Sequence, residues 1–171
     1  MILTPRLELA PFTLADDAFI LRLLNEPSFI ANIADRGVRT LEDARAYLSN
    51  GPIASYAANG FGLWRVSLRE GGPPIGMCGL IRRPGLADVD LGYALLPEHT
   101  GHGYAVEAAR AALDYGRAAL GLARIVAIVS PDNDRSARVL EKLGFVRDGT
   151  FRLPGDTLDL DGAAYRGWLD V

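Results

Sequence analysis

The stretch that most constrains this chain runs from Leu91 to Ala109. Leu91-Gly92-Tyr93-Ala94-Leu95-Leu96 leads through Pro97-Glu98-His99-Thr100-Gly101-His102-Gly103 into the alanine-rich Tyr104-Ala105-Val106-Glu107-Ala108-Ala109. It reads as a strand, a glycine-punctuated turn and a helix. A helix start carries free backbone N–H groups and a partial positive charge. Glycines beside that start let the backbone close around a phosphate. The stretch is therefore either an ordinary strand–turn–helix connection or a seat for a phosphorylated ligand. The usual phosphate patterns do not match. No Gly-x4-Gly-Lys-Ser/Thr run exists, and Gly101-His102-Gly103 lacks the third glycine of a dinucleotide fingerprint.

The rest of the chain supplies a setting for that unit. Leu7-Glu8-Leu9-Ala10-Pro11-Phe12 alternates as a first strand. Thr13 caps a helix with Phe19, Ile20, Leu23 and Leu24 at helical spacing, stopped by Asn25-Glu26-Pro27. Thr40-Leu41-Glu42-Asp43 repeats the cap signature before Ala44, Tyr47 and Leu48. Phe29 to Arg39 gives no clear signal. Phe61–Leu68 and Ile75–Arg82 read as a hairpin around Glu70-Gly71-Gly72-Pro73-Pro74. Val89–Leu95 is a strand, Ala105–Leu120 a helix ended by Gly121, and Arg124–Val129 a buried strand. Pro131-Asp132-Asn133-Asp134 forms a turn and N-cap before a helix from Ser136 to Leu143. Phe151–Leu153 and Ala164–Leu169 read as final strands around an acidic, turn-rich Pro154 to Gly162. The order β-α-α-β-β-β-α-β-α-β-β suits an α/β domain with a mixed sheet.

Bulk properties narrow the partners. At 171 residues the chain reads as one domain, 1–171, with room for a full core. A net charge of -3 and the lack of a basic run argue against nucleic acid. No apolar run approaches the roughly 20 residues needed to span a membrane. The N-terminus lacks a signal-peptide pattern, and the lone Cys78 can form no internal disulfide, so a cytoplasmic location is expected. Cys78 reads as a small buried strand residue. His99 and His102 read as exposed turn residues, and no cluster has metal-ligand spacing, so no metal is expected.

Thr100-Gly101-His102-Gly103-Tyr104-Ala105 resembles the acyl-CoA-binding motif of the GNAT superfamily, Gln/Arg-x-x-Gly-x-Gly/Ala. The variant Gly-x-Gly-Tyr-Ala-x-Glu-Ala resembles the RimJ/RimL-like branch, as does the opening Thr4-Pro5-Arg6-Leu7. Thr100 departs from Gln/Arg, and Ala10 stands where that branch usually has Arg. Asn133-Asp134-Arg135-Ser136 with Glu141-Lys142-Leu143-Gly144-Phe145 forms a second motif, and the resemblance covers nearly the whole chain. It implies the GNAT fold: a mixed, mostly antiparallel sheet splayed at the fourth and fifth strands and flanked by helices.

The resemblance also implies a chemistry, acetyl transfer from acetyl-CoA to an amine. Thr100, Gly101, His102, Gly103, Tyr104 and Ala105 would hold the pyrophosphate through backbone N–H groups, without a metal. Leu95 would give backbone bonds to the pantetheine arm, and Pro97 fits a strand that stops pairing there; Leu95 and Leu96 also read as core. Asn133 is either a helix N-cap or a hydrogen-bond partner of the CoA arm. Ser136 is either a first-turn hydroxyl or the acid for the leaving thiolate, since Leu140 occupies the place where many GNAT enzymes carry a tyrosine. Asp90 is the candidate general base, with Asp88 on the same face completing an acidic patch; the alternative is the solvent face of a strand. Tyr93 is a further candidate for lining the substrate pocket, and Glu107 reads as a stabiliser of the helix's first turn. The expected partner is a small-molecule or peptide amine, and a homodimer is compatible with the sequence. Rival readings are a non-catalytic acyl-CoA sensor and a nucleotide-binding module.

Overall fold

The computed structural model describes residues 1–152 and 161–168. Its backbone is one eight-stranded sheet. The strands are β1 (Ile2–Leu3), β2 (Leu7–Pro11), β3 (Leu63–Leu68), β4 (Pro74–Ile81), β5 (Val89–Leu95), β6 (Arg124–Val129), β7 (Val146–Arg152) and β8 (Asp161–Trp168). They lie in the order β1-β2-β3-β4-β5-β6-β8-β7. Every neighbouring pair is antiparallel except β5 with β6. The strands read fourth and fifth in the sequence are β5 and β6, shifted one number by the two-residue β1. The final strands appear as β7 and β8; β8 starts at Asp161, so Asp161 and Gly162 of the expected turn-rich stretch are strand, while residues 153–160 and 169 lie outside the described residues.

Helices cover both faces. The long helix α5 (Tyr104–Leu120) packs Ala108, Ala109, Ala112 and Leu113 against Leu9, Val66, Leu80 and Ile125 of the sheet. Its apolar stripe is mostly alanine, so helix and strands approach closely. The opposite face carries α1 (Asp17–Leu24), α2 (Pro27–Asn32) and α3 (Leu41–Leu48). There Ile20, Leu23, Phe29 and Leu48 gather on Phe12, Met77 and Leu96. β4 is buried from both sides, so Ile75 through Leu80 are all buried. The β3–β4 register shifts where Ser67 pairs with Pro74 after Val66 with Gly76. Ile75 is the extra residue, and the bulge rotates it onto the same face as Cys78 and Leu80.

The entry helices are pinned by charge. Asp17 bonds Arg45 of α3 at 2.7 Å and Asp16 bonds Arg65 of β3 at 2.8 Å. Thr40 caps α3 by accepting the Asp43 N–H, as its sequence predicts. Two helices carried no sequence signal, α2 and α4 (Ala54–Asn59), the latter reached through a π-helical turn containing Pro52. Tyr56 anchors α4: its hydroxyl donates to the Leu63 carbonyl and accepts the Phe12 N–H. Among the described residues no helix is long and apolar enough to cross a membrane.

Candidate active site

β5 and β6 pair only at Val89–Ile125 and Asp90–Val126. Beyond that point they part, β5 staying with β4 to Leu95 and β6 with β8. The Leu96 N–H donates to the Ile75 carbonyl at 2.8 Å. Peptide groups alternate in direction along a strand, so the N–H and C=O of Leu95 turn away from β4 and into the gap. A cleft of about 790 Å³ opens there. That is the size of a small-molecule site. It runs from the start of α5 past the gap to α2, α3 and α4.

At one end lies the glycine turn. Gly101 and Gly103 sit at φ +82° and +81°, the left-handed region where a side chain is strained. Gly103 occupies the N-cap of α5 and has no side chain to cap it, so the first-turn N–H groups are left to a ligand. Thr100, Gly101, Gly103, Tyr104 and Ala105 line the cleft; His102 does not. The His102 side chain is exposed and its carbonyl accepts Arg6 Nη1 at 2.9 Å. His99, expected to be exposed, is half-buried.

Arg6 belongs to a clamp on this turn. Its Nε bonds Glu107 at 2.7 Å, its backbone N–H bonds the other Glu107 oxygen at 2.9 Å, and its guanidinium lies 4.6 Å from the Tyr104 ring centroid. The Thr4 hydroxyl donates to Glu107 at 2.6 Å. Burial pushes the Glu107 carboxyl up, but these donors outweigh it and hold it below its usual value. Glu107 thus does more than favour a helix start: it ties the N-terminal strand to the turn.

Asp90 stands in the middle of the cleft. Its carboxylate is 2% exposed, which removes the solvent-face reading. Burial raises its pKa to about 6, against the pull of Arg83 and of the Ile128 amide. Arg83 Nε donates to Oδ2 at 2.5 Å, while buried Oδ1 has no hydrogen-bond partner. The expected acidic patch does not form. Asp88 precedes β5, bonds Arg124 at 2.6 Å and lies outside the cleft, because the chain has not yet entered the strand whose alternation would align the two. Arg83 escaped the sequence reading, although opposite charges on either side of the Pro84-Gly85 turn are the signal that finds it.

The helix α6 (Asp134–Lys142) brings Asn133 and Ser136 to the same cleft. Asn133 Oδ1 accepts the Ser136 N–H at 3.1 Å, so the N-cap is made. Its side-chain NH₂ is left over, and both uses of this residue are open at once. Tyr93 lines the cleft and its hydroxyl donates to the Ser136 carbonyl at 3.2 Å. Burial raises Tyr93 to about 12, so it stays a phenol at neutral pH. Cys78 is 1% exposed and burial pushes its thiol up, which keeps it protonated and unreactive. Among the described residues no group of three His, Cys, Asp or Glu could hold a metal ion.

A family model, the acetyltransferase (GNAT) domain, matches residues 6–146. The chain belongs to the GNAT acetyltransferase family. The uncharacterized N-acetyltransferase YnaD of Bacillus subtilis is 30% identical over 151 residues, covering 88% of this chain and 85% of its own. The crystal structure of an acetyltransferase from Agrobacterium tumefaciens is 29% identical with a TM-score of 0.81, over 98% of this chain and 94% of that one. Spermidine N-acetyltransferase from Vibrio cholerae, solved with CoA and spermine, shares the fold at a TM-score of 0.75 and 21% identity, over 95% of this chain and 94% of that one. The splayed mixed sheet is thus the GNAT fold, and the GNAT protein is an acyl-CoA-dependent acetyltransferase.

Proposed function

We propose that this GNAT protein acts as one domain of the RimJ/RimL-like branch and moves an acetyl group from acetyl-CoA to a primary amine by direct attack in a ternary complex. One observation carries the reading: the α5 start, the open edge at Leu95 and the buried, half-satisfied Asp90 share one cleft. The branch rests on the Thr4-Pro5-Arg6-Leu7 opening and the Gly-x-Gly-Tyr-Ala turn, which meet in the Arg6–Glu107 clamp.

In this reading the first-turn N–H groups of α5 hold the pyrophosphate. Leu95 pairs with the pantetheine arm as a missing strand would, and the Asn133 NH₂ adds a donor. The amine arrives as an ammonium and gives one proton to Asp90, directly or through water. The nitrogen lone pair attacks the thioester carbonyl, the C–N bond forms and the C–S bond breaks. The second amine proton leaves to solvent, and the thiolate takes a proton relayed by the Ser136 hydroxyl. No residue forms an acyl-enzyme.

Calorimetric titration with acetyl-CoA, CoA and ATP side by side tests the cradle. Acetyl-CoA should bind in the micromolar range and ATP more weakly, and Gly103→Glu should abolish both. At Gly103 a side chain is strained at φ +81° and meets Arg6. Equal affinity for ATP, or no acetyl-CoA binding, would remove the pyrophosphate assignment.

A further inference from the structure

The cleft is cationic although the chain is acidic. Among the described residues that line it stand Arg36, Arg82, Arg83, Arg135, Arg138 and Lys142, against one carboxylate, Asp90. Arg135, Arg138 and Lys142 belong to α6, beside the end assigned to the CoA arm. Arg36 lies instead in the segment between α2 and α3, away from α6 in the sequence. Both Arg36 and Arg83 act electrostatically on the Tyr47 hydroxyl, and Arg83 bonds Asp90. Arg36, Tyr47 and Asp90 all line this one cleft.

The two charges differ in how far they are satisfied. Arg83 is committed to Asp90 through Nε. Arg36 is exposed to solvent at the cleft wall and makes no hydrogen bond or ion pair among the described residues. Its neighbour Asp35 cannot neutralise it, because Asp35 bonds Arg39 at 2.6 Å and the Gly37 N–H at 2.9 Å. Arg39 in turn bonds Asn25 and the Val38 carbonyl, which fixes the segment that carries Arg36. Asp90 Oδ1 is buried and lacks a donor. Burial holds the Tyr47 phenol above its ordinary pKa, which leaves it a donor at neutral pH.

A buried carboxylate oxygen without a hydrogen-bond partner and an uncommitted guanidinium beside a phenol donor, all lining one cleft, match a ligand with an ammonium and an anion on one small frame. We infer that the acceptor is a small carboxylate-bearing amine of the amino-acid type, its ammonium on Asp90 Oδ1 and its carboxylate on Arg36 with the Tyr47 hydroxyl. A polyamine fits poorly, since each further ammonium would face a guanidinium with no carboxylate to receive it. The inference rests on the amine-transfer reading above, and it adds the substrate class and a specificity role for Arg36.

The test is steady-state acetylation by the full chain of free L-amino acids, their carboxamides and spermidine, at saturating acetyl-CoA. The carboxamide keeps the amine and removes the anion. The best amino acid should exceed its carboxamide, and spermidine, about tenfold or more in kcat/KM. Arg36→Ala should raise the amine KM for that acid about tenfold more than for its carboxamide, without moving the acetyl-CoA KM, and Arg36→Lys should restore part of the loss. Spermidine or carboxamides used as well as the acids would overturn the inference and leave amine transfer standing. An equal loss for acid and carboxamide in Arg36→Ala would overturn it too. No acetylation of any of these amines, with acetyl-CoA binding intact by calorimetry, would overturn this inference, and a peptide amine that is then acetylated would show that the amine-transfer reading stands without it.

Discussion

Asp90 shows how one residue can be tuned by where the chain puts it. An exposed aspartate near pKa 3.8 is a poor base for an ammonium, whereas burial raises this one to about 6. Two consequences have opposite signs. Between those values the folded protein keeps a proton that the unfolded chain has lost. Stability from this group therefore falls as pH rises from about 4 to about 6, by at most about 3 kcal/mol. Activity should rise over the upper part of that window, as the carboxylate becomes free to accept a proton. A pH profile of kcat/KM should show an acid limb near pH 6. Asp90→Asn should lower kcat/KM about 100-fold or more and erase the limb. A limb that survives in the variant would assign the base elsewhere.

At the scale of elements, two devices shape the site, the clamp on α5 and the tight approach at β4. Glu107 receives Thr4, the Arg6 N–H and the Arg6 guanidinium, so Glu107→Ala should release the N-terminal strand from the glycine turn. The expected outcome is a weaker acetyl-CoA affinity by about tenfold, with a Tm loss of a few degrees, because half-exposed Arg6 limits the stability held in the pair. Glu107→Gln, which keeps an acceptor, should lie between. In β4, a Cβ on Gly79 would sit 2.2 Å from the Gly62 carbonyl oxygen, inside van der Waals contact with backbone. Gly79→Ala should cost about 2–3 kcal/mol, read as a lower denaturant midpoint at unchanged m-value.

The same scale separates what was legible in the sequence from what was not. α5 and its turn were readable because Gly101, Gly103 and an alanine stripe state the geometry locally. α2 and α4 were not, because six residues give too little period to see. Pro27 read as a stop, yet it occupies the first turn of α2, where its missing N–H costs nothing. The Arg6–Glu107 bond spans 101 residues of sequence, and no local pattern announces a contact made only by the sheet. The sequence singles out Asp90 as a candidate by its strand and its resemblance to the family pattern, but its burial and its Arg83 partner follow from tertiary packing.

Taken whole, the molecule is two sheet portions joined by a short seam. Among the described residues, β1 to β5 and the trio β6, β8, β7 share only the Val89–Ile125 and Asp90–Val126 pairs. The chain spends sheet hydrogen bonds there in order to leave Leu95 open, and the cleft that results has walls from both portions. A ligand that pairs with Leu95 and rests on α5 and α6 bridges the parts that the sheet leaves unjoined. Acetyl-CoA at a hundredfold excess over its Kd should stabilise the fold by about 2.7 kcal/mol. For a chain of this size that is a Tm rise of about 5–10 °C. Amide exchange should slow at Tyr93 and Leu95 and in the first turn of α5, and stay unchanged in β2 and β3, where no seam exists. ATP, which lacks the pantetheine arm, should protect the α5 turn alone. Protection spread evenly over the sheet, with none added at Leu95, would mean that the gap is not where the acyl arm lies.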